Sequence, residues 1–106
     1  MSAYRSLTLT EKQFQSQVEE LADILGWRHY HTHDSRRSQA GFPDLTLVKP
    51  PRLVFAELKV GTREPTQEQQ AWIDDLSECG IEVYVWRPDD WQRIVEILQG
   101  ASVNDR

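Results

Sequence analysis

The sequence predicts a small α/β sandwich in which helices flank a mixed central sheet, with the element order α-β-β-β-α-β-α. Apolar residues recur at helical spacing in three segments, and four other segments are rich in β-branched and aromatic residues. Clusters of Gly, Pro and Ser separate these segments. The strand-helix-strand order after residue 53 also predicts one right-handed crossover and one parallel strand pair.

The first helix is predicted over TEKQFQSQVEELADILGW, and Gly26 marks its end. Either Thr8 or Thr10 can cap it, with Glu11 or Gln13 as the reciprocal partner three residues on. The segment WRHYHTHDS then suits a short strand followed by a polar loop.

The next two strands are DLTLVK and LVFAELKV, and Pro50-Pro51 forces a turn that makes them a hairpin. Thr66 can cap the helix QEQQAWIDDLSEC, which Gly80 ends. IEVYVWR is a strand, and Pro88 starts the last helix, WQRIVEILQ. The four tryptophans lie on apolar faces, which favours the core over base stacking, although Trp72 would suit a dimer interface if it faced outwards.

Length and composition indicate one domain over residues 1–106, with a core from about 8 to 99 and a flexible tail over 100–106. No apolar run approaches a membrane span or a signal peptide. A single cysteine, Cys79, excludes an internal disulfide, and we expect a cytoplasmic protein.

The net charge of −5 disfavours a protein that simply coats nucleic acid, but it permits an enzyme that binds DNA through a few arginines and a metal ion.

Opposite charges interrupt the most apolar run of the chain. On a strand, Glu57 and Lys59 share one face, about 7 Å apart at ~3.3 Å per residue. Asp44 approaches them if the hairpin pairs in a matching register. Two carboxylates and an ammonium at one sheet edge would suit Mg²⁺, with the lysine orienting or activating a bound water. The alternative is an ordinary solvent-facing pair near a strand end, beside a Pro-Asp turn.

Pro43-Asp44 followed by Glu57-Leu58-Lys59 resembles the PD-(D/E)xK nuclease superfamily, whose fold is the restriction-endonuclease-like sandwich. From about Glu11 to Leu98, the chain is similar to a stand-alone VRR-NUC domain. The similarity includes the Gly-x-Pro-Asp turn from Gly41 and the Thr-x-x-Gln-x-x-Trp helix from Thr66.

The resemblance implies metal-dependent hydrolysis of DNA. Asp44, Glu57 and the main-chain carbonyl of Leu58 would hold Mg²⁺ or Mn²⁺, and Lys59 would position the attacking water or stabilise the phosphorane. The following residues are the remaining catalytic candidates that the resemblance implies: Glu11, with Glu19 and Glu20 as rivals, and Gln69. Glu11 could instead serve as a capping carboxylate for Thr8, and Gln69 could be merely exposed.

The loop before the Pro-Asp turn contains the candidate DNA contacts, which are Ser35, Arg36, Arg37, Ser38 and His31. The family's Val-Arg-Arg signature is replaced here by Ser35-Arg36-Arg37. Further candidates for backbone contacts are Lys49, Arg52 and Arg63.

The resulting expectation is an endonuclease that cuts branched DNA, such as four-way junctions. A homodimer would suit such a two-fold substrate. The alternative is a catalytically inactive DNA-binding or protein-interaction module on the same fold.

Overall fold

The protein is described by a computed structural model, in which residues 9–33 and 38–100 are placed. In chain order the elements are α1 (Glu11–Ile24), β1 (Arg28–His31), β2 (Leu45–Lys49), β3 (Arg52–Leu58), α2 (Gln67–Glu78), β4 (Glu82–Trp86) and α3 (Trp91–Leu98). A 3-10 turn over Pro88–Asp90 leads into α3. The predicted element order is confirmed, while the tail beyond Gly100 lies outside the described residues.

The four strands form one mixed sheet in the order β1-β2-β3-β4. The pairs β1-β2 and β2-β3 are antiparallel, and β3 and β4 are parallel. The hairpin between β2 and β3 turns at Pro50-Pro51, whose peptide bond is cis. Both the hairpin and the parallel pair therefore match the prediction.

The hydrophobic core lies on one face of the sheet, between the strands and the helices α1 and α3. Alternate residues of β2 and β3 are fully buried there, together with the apolar stripes of both helices. The cluster consists of Phe14, Val18, Ala22, Trp27, Leu45, Leu47, Val54, Ala56, Leu58, Trp86, Ile94, Ile97 and Leu98. Trp27 and Trp86 are thus core residues, as predicted, whereas Trp72 and Trp91 are only half-buried.

The opposite face of the sheet is covered more thinly, by α2. None of the residues of this helix, all of which the structure describes, is fully buried. Instead, Phe42 packs edge-on against Phe55 of β3 and Trp72 of α2, with ring centroids 5.5 and 5.0 Å apart. This second layer leaves room beside the strands near the Pro-Asp turn.

No helix of the described residues is long and apolar enough to cross a membrane.

Candidate active site

The register of the β2-β3 hairpin brings Asp44 opposite Glu57. Leu45 pairs with Ala56 and Leu47 with Val54, so continuing the ladder by one residue places the two carboxylates directly across from each other. A slip of one residue would have turned Glu57 towards the core face. The matching register on which the predicted site depends is therefore present.

Asp44 is fixed by three hydrogen bonds around the Pro-Asp turn. The N–H of Leu58 donates to its Oδ2 at 2.8 Å, and the N–H of Thr32 donates to its main-chain oxygen at 2.8 Å. The hydroxyl of Thr32 donates to the carbonyl of Pro43, also at 2.8 Å. Thr32 therefore links the turn to the end of β1, a positioning role that the sequence analysis missed.

Gly41 allows the same turn to pack against the start of α2. Its φ is +94°, and a Cβ at this position would lie 2.5 Å from the main-chain carbon of Glu68. No other residue can combine this conformation with such a close approach. Trp72 completes the contact, because its Nε1 donates to the carbonyl of Ala40 at 3.1 Å.

Glu57 is buried, with 1% of its surface exposed, and neither of its carboxylate oxygens has a hydrogen-bond partner among the described residues. Burial, followed by the charge of Asp44, raises the pKa of Glu57 to about 8, although Lys59 opposes the shift. A carboxylate buried without hydrogen-bond donors is costly, so this group has the properties of a ligand to a cation.

Lys59 is also buried, at 3% exposure, and its Nζ lies 3.6 Å from Oε2 of Glu57. That separation allows an ion pair but exceeds a good hydrogen bond of about 2.9 Å. The burial of both residues contradicts the alternative of a solvent-facing charge pair on an exposed strand.

Glu11 is the first residue of α1, and it joins this cluster. The helix is capped by Thr10, whose side chain accepts from the N–H of Gln13 at 3.1 Å, while Gln13 reciprocates at 2.9 Å. Glu11 is therefore not needed as the cap. Burial and the charge of Asp44 raise its pKa, and Lys59 and Arg63 oppose the shift.

The other glutamates of α1 lie away from this cluster. Glu19 accepts from Gln15 at 3.4 Å and lies 3.8 Å from His29, and Glu20 is exposed. Only Glu11, of the three candidates, interacts with Asp44.

Gln69 forms part of the N-terminal cap of α2. Its Oε1 accepts from the N–H of Thr66 at 2.9 Å, and its own N–H donates to the Thr66 hydroxyl at 3.1 Å. The side chain also lines a cavity next to Asp44. Its side-chain NH₂ group is therefore the part that can donate a hydrogen bond to a substrate.

The donor atoms fit a hard divalent cation. Mg²⁺ is commonly bound by one or two carboxylates and several waters, and Glu57 and Asp44 provide the carboxylates. Because Leu58 donates its N–H towards Asp44, its carbonyl faces the same edge of the strand. The described residues contain no group of three or more His, Cys, Asp or Glu placed to hold a metal, so waters and substrate would have to complete the shell.

The candidate DNA contacts are only partly described. Ser35, Arg36 and Arg37 lie outside the described residues. Ser38 is exposed and lines the cavity beside Asp44. His31 ends β1, and its ring centroid lies 4.4 Å from that of His33.

Two of the three further candidates for contacts with the DNA backbone form contacts within the protein instead. Lys49 donates to the carbonyl of Leu25 at the end of α1 at 2.8 Å. Arg52 forms a bidentate pair with Glu82. Arg63 remains exposed, close enough to Glu11 to affect its pKa.

The fold and the cluster together define a small α/β domain with the carboxylate and lysine arrangement expected of nucleases. The model of the VRR-NUC domain family matches residues 3–90, and the chain belongs to this family, which is of the nuclease type. DNA is accordingly the partner that this class of protein suggests.

A solved structure described as a VRR_NUC domain has the same fold. The TM-score is 0.69 at 21% identity, and the alignment covers 87% of this chain and 97% of that one. No curated protein gives a significant match.

Proposed function

We propose that this VRR-NUC domain is a Mg²⁺-dependent endonuclease that hydrolyses phosphodiester bonds in branched DNA such as four-way junctions. The observation that carries the proposal is Glu57, a carboxylate buried to 1% exposure that has no hydrogen-bond partner among the described residues. It lies opposite Asp44 and 3.6 Å from Lys59. A buried carboxylate without hydrogen-bond donors opposes folding, so a ligand role explains its presence better than a structural one.

Asp44 and Glu57, with the main-chain carbonyl of Leu58, would hold Mg²⁺ or Mn²⁺. When bound, such a cation polarises the phosphate and lowers the pKa of a coordinated water. The hydrogen bonds from Thr32 and Leu58 hold Asp44 in one orientation, so little reorganisation is needed on binding.

The remaining residues of the cluster would act on the water and the phosphate. Lys59 orients the attacking water or stabilises the negative charge that develops on the phosphate. Glu11 binds the same water, and its raised pKa makes it a better proton acceptor near neutral pH. The free amide NH₂ of Gln69 positions the substrate strand.

The DNA backbone would be held by the loop before the Pro-Asp turn. Arg36 and Arg37 supply charge for the phosphates, while Ser35, Ser38 and His31 supply hydrogen bonds. One active site cuts one strand, so a symmetric homodimer would suit a junction with two-fold symmetry. A cytoplasmic location belongs to the same proposal.

The proposal is tested with labelled DNAs of one sequence, prepared as a four-way junction, a matched duplex and a single strand. Each is incubated with Mg²⁺, with Mn²⁺ or with a chelator. We expect metal-dependent cutting of the junction that Asp44→Asn abolishes. Asp75→Asn, at an exposed position of α2, serves as the matched control and should cut normally.

Metal-dependent cutting that survives Asp44→Asn would contradict the site. No cutting of any of these DNAs would contradict the enzyme and favour the inactive binding module. The mass of the protein in solution, compared with 12.4 kDa for one chain, tests the homodimer.

A further inference from the structure

A cavity of about 960 Å³ opens directly beside the carboxylate cluster, and Asp44 forms part of its wall. It lies against the thinly covered face of the sheet, between the end of β1 and the start of α2. Since Asp44 borders both the cavity and the cluster, a group in the cavity would be next to the phosphate being cut. The volume is ample for a nucleobase, because ligand sites begin at about 300 Å³.

The lining of the cavity suits a neutral aromatic group better than a phosphate. Besides the carboxylate of Asp44 and the imidazole of His33, its polar side chains are hydroxyls and amides, among them Thr32, Ser38 and Gln69. None of the described lining residues is Arg or Lys, which phosphate sites usually contain, and the carboxylate of Asp44 would repel a second phosphate. Hydroxyls and amides are the groups that bind the edges of unpaired bases.

Tyr30 supplies an aromatic ring at the rim. It is 63% exposed, and its side chain has neither a hydrogen bond nor a ring contact with any other described residue. The rings of Phe42 and Trp72, also in the wall, are engaged with each other and with the loop, and the ring of His33 lies against that of His31. Tyr30 is therefore the ring that is available to stack on a base.

We propose that this cavity holds one unpaired nucleobase of the strand being cut, stacked on Tyr30, so that the substrate is DNA with an unpaired nucleotide next to the scissile phosphate. This inference rests on the proposed nuclease function and specifies its substrate. Taking a base out of a duplex costs a few kcal/mol, and this cost is smallest where the base is already unpaired. The cavity thereby selects flaps, bulges and junctions with an unpaired base over intact duplex.

The proposal is tested by binding, which does not depend on cleavage. Two short duplexes are compared, one fully paired and one with a single unpaired 2-aminopurine, a fluorescent base whose emission falls on stacking. Titrations are run in a chelator and again with Ca²⁺. We expect the wild-type protein to bind the second duplex about tenfold more tightly and to quench its fluorescence, since one stacked base contributes about 1–3 kcal/mol.

Variants of Tyr30 identify the stacking ring. Tyr30→Ala should lose both the tenfold preference and the quenching, whereas Tyr30→Phe, which keeps the ring, should retain them. Ile24→Ala is the matched control, because Ile24 is the other large hydrophobic side chain that is exposed among the described residues, at 79%. Circular dichroism confirms that each variant folds.

Equal binding of both duplexes by the wild-type protein, or a preference that Tyr30→Ala leaves intact, would overturn the proposal. If instead the proposed nuclease function is wrong, the result is different. No DNA is then cut with Mg²⁺, while the preference of the protein for the unpaired base and the dependence of this preference on Tyr30 persist.

Discussion

A pair of opposite charges lies near each end of strand β3, and the two pairs differ in how well their charges are hydrogen-bonded. At its start, Arg52 and Glu82 form two hydrogen bonds of 2.9 and 2.7 Å, and Arg52 also donates to the carbonyl of Ile97. The hydroxyl of Tyr84 donates to Glu82 as well. These contacts lower the pKa of Glu82 below its ordinary value.

At the other end, Glu57 and Lys59 are more deeply buried and lie 3.6 Å apart, without a hydrogen bond to Glu57 from any described residue. There the pKa of Glu57 is raised to about 8. Hydrogen bonds therefore distinguish the two pairs. The Arg52–Glu82 pair has them and is a structural element, whereas Glu57 lacks them among the described residues, which supports the proposed ligand role.

The largest expected difference between the pairs is in catalysis. Glu57→Gln should lower the single-turnover cleavage rate of a junction by about 10³-fold or more, since it removes a carboxylate that acts on the transition state. Glu82→Gln should leave the rate of the folded enzyme within about threefold, because its carboxylate only stabilises the fold. Equal losses in both variants would contradict the distinction.

The cations of the two pairs should differ in the same way. Lys59→Met is expected to slow cleavage about 10²-fold, the lower range for a residue that acts on a reacting proton or charge. Arg52→Met should instead lower the free energy of unfolding by about 2 kcal/mol, because it leaves Glu82 without its cationic partner. Urea unfolding and cleavage kinetics on the same samples measure both effects. A stable but inactive Arg52→Met protein would be inconsistent with this assignment.

The two carboxylates should also differ in the sign of their effect on stability. In a chelator at pH 8, Glu57→Gln should raise the free energy of unfolding by about 1 kcal/mol, since it removes a buried charge without hydrogen-bond partners. Glu82→Gln should lower it by about the same amount. Mg²⁺ should then stabilise the wild-type protein but not Glu57→Gln. Destabilisation by both variants in the chelator would show that Glu57 is a satisfied structural residue.

The last expected difference between the two carboxylates is in the pH dependence of stability. The pKa of Glu57 rises from 4.5 to about 8 on folding, so protonation of Glu57 stabilises the folded protein. This contribution to the free energy of unfolding is fully present below pH 4.5 and is lost as pH rises through 8. Glu82 has a lowered pKa, so its contribution is present above 4.5 and is lost as pH falls through the folded pKa. Thermal unfolding in a chelator between pH 4 and 9 should therefore show a decline in stability from about pH 4.5 to about pH 8 that Glu57→Gln removes. An identical decline over this range in Glu57→Gln would rule out Glu57 as its cause.

Much of the site could be predicted because its sequence pattern is local. The pairs Pro43-Asp44 and Glu57-x-Lys59 lie on adjacent strands joined by a short turn, so only the register remained open. Glu11 could not be separated from Glu19 and Glu20, since helical spacing alone does not specify which turn of α1 approaches the sheet edge. Tyr30 and Thr32 were missed because their roles depend on where the end of β1 meets the Pro-Asp turn.

The sequence by itself determined the elements of this protein, because hydrophobic periodicity, caps and turn residues act over a few neighbouring positions. It also determined which residues are chemically able to bind a cation. The tertiary structure alone decided which charges are satisfied and which are not. Arg52 meets Glu82 across 30 positions, and Glu11 approaches Asp44 only through packing of α1 against the sheet. Burial and the number of partners are properties of the packed chain, and they separate a structural ion pair from the candidate active site.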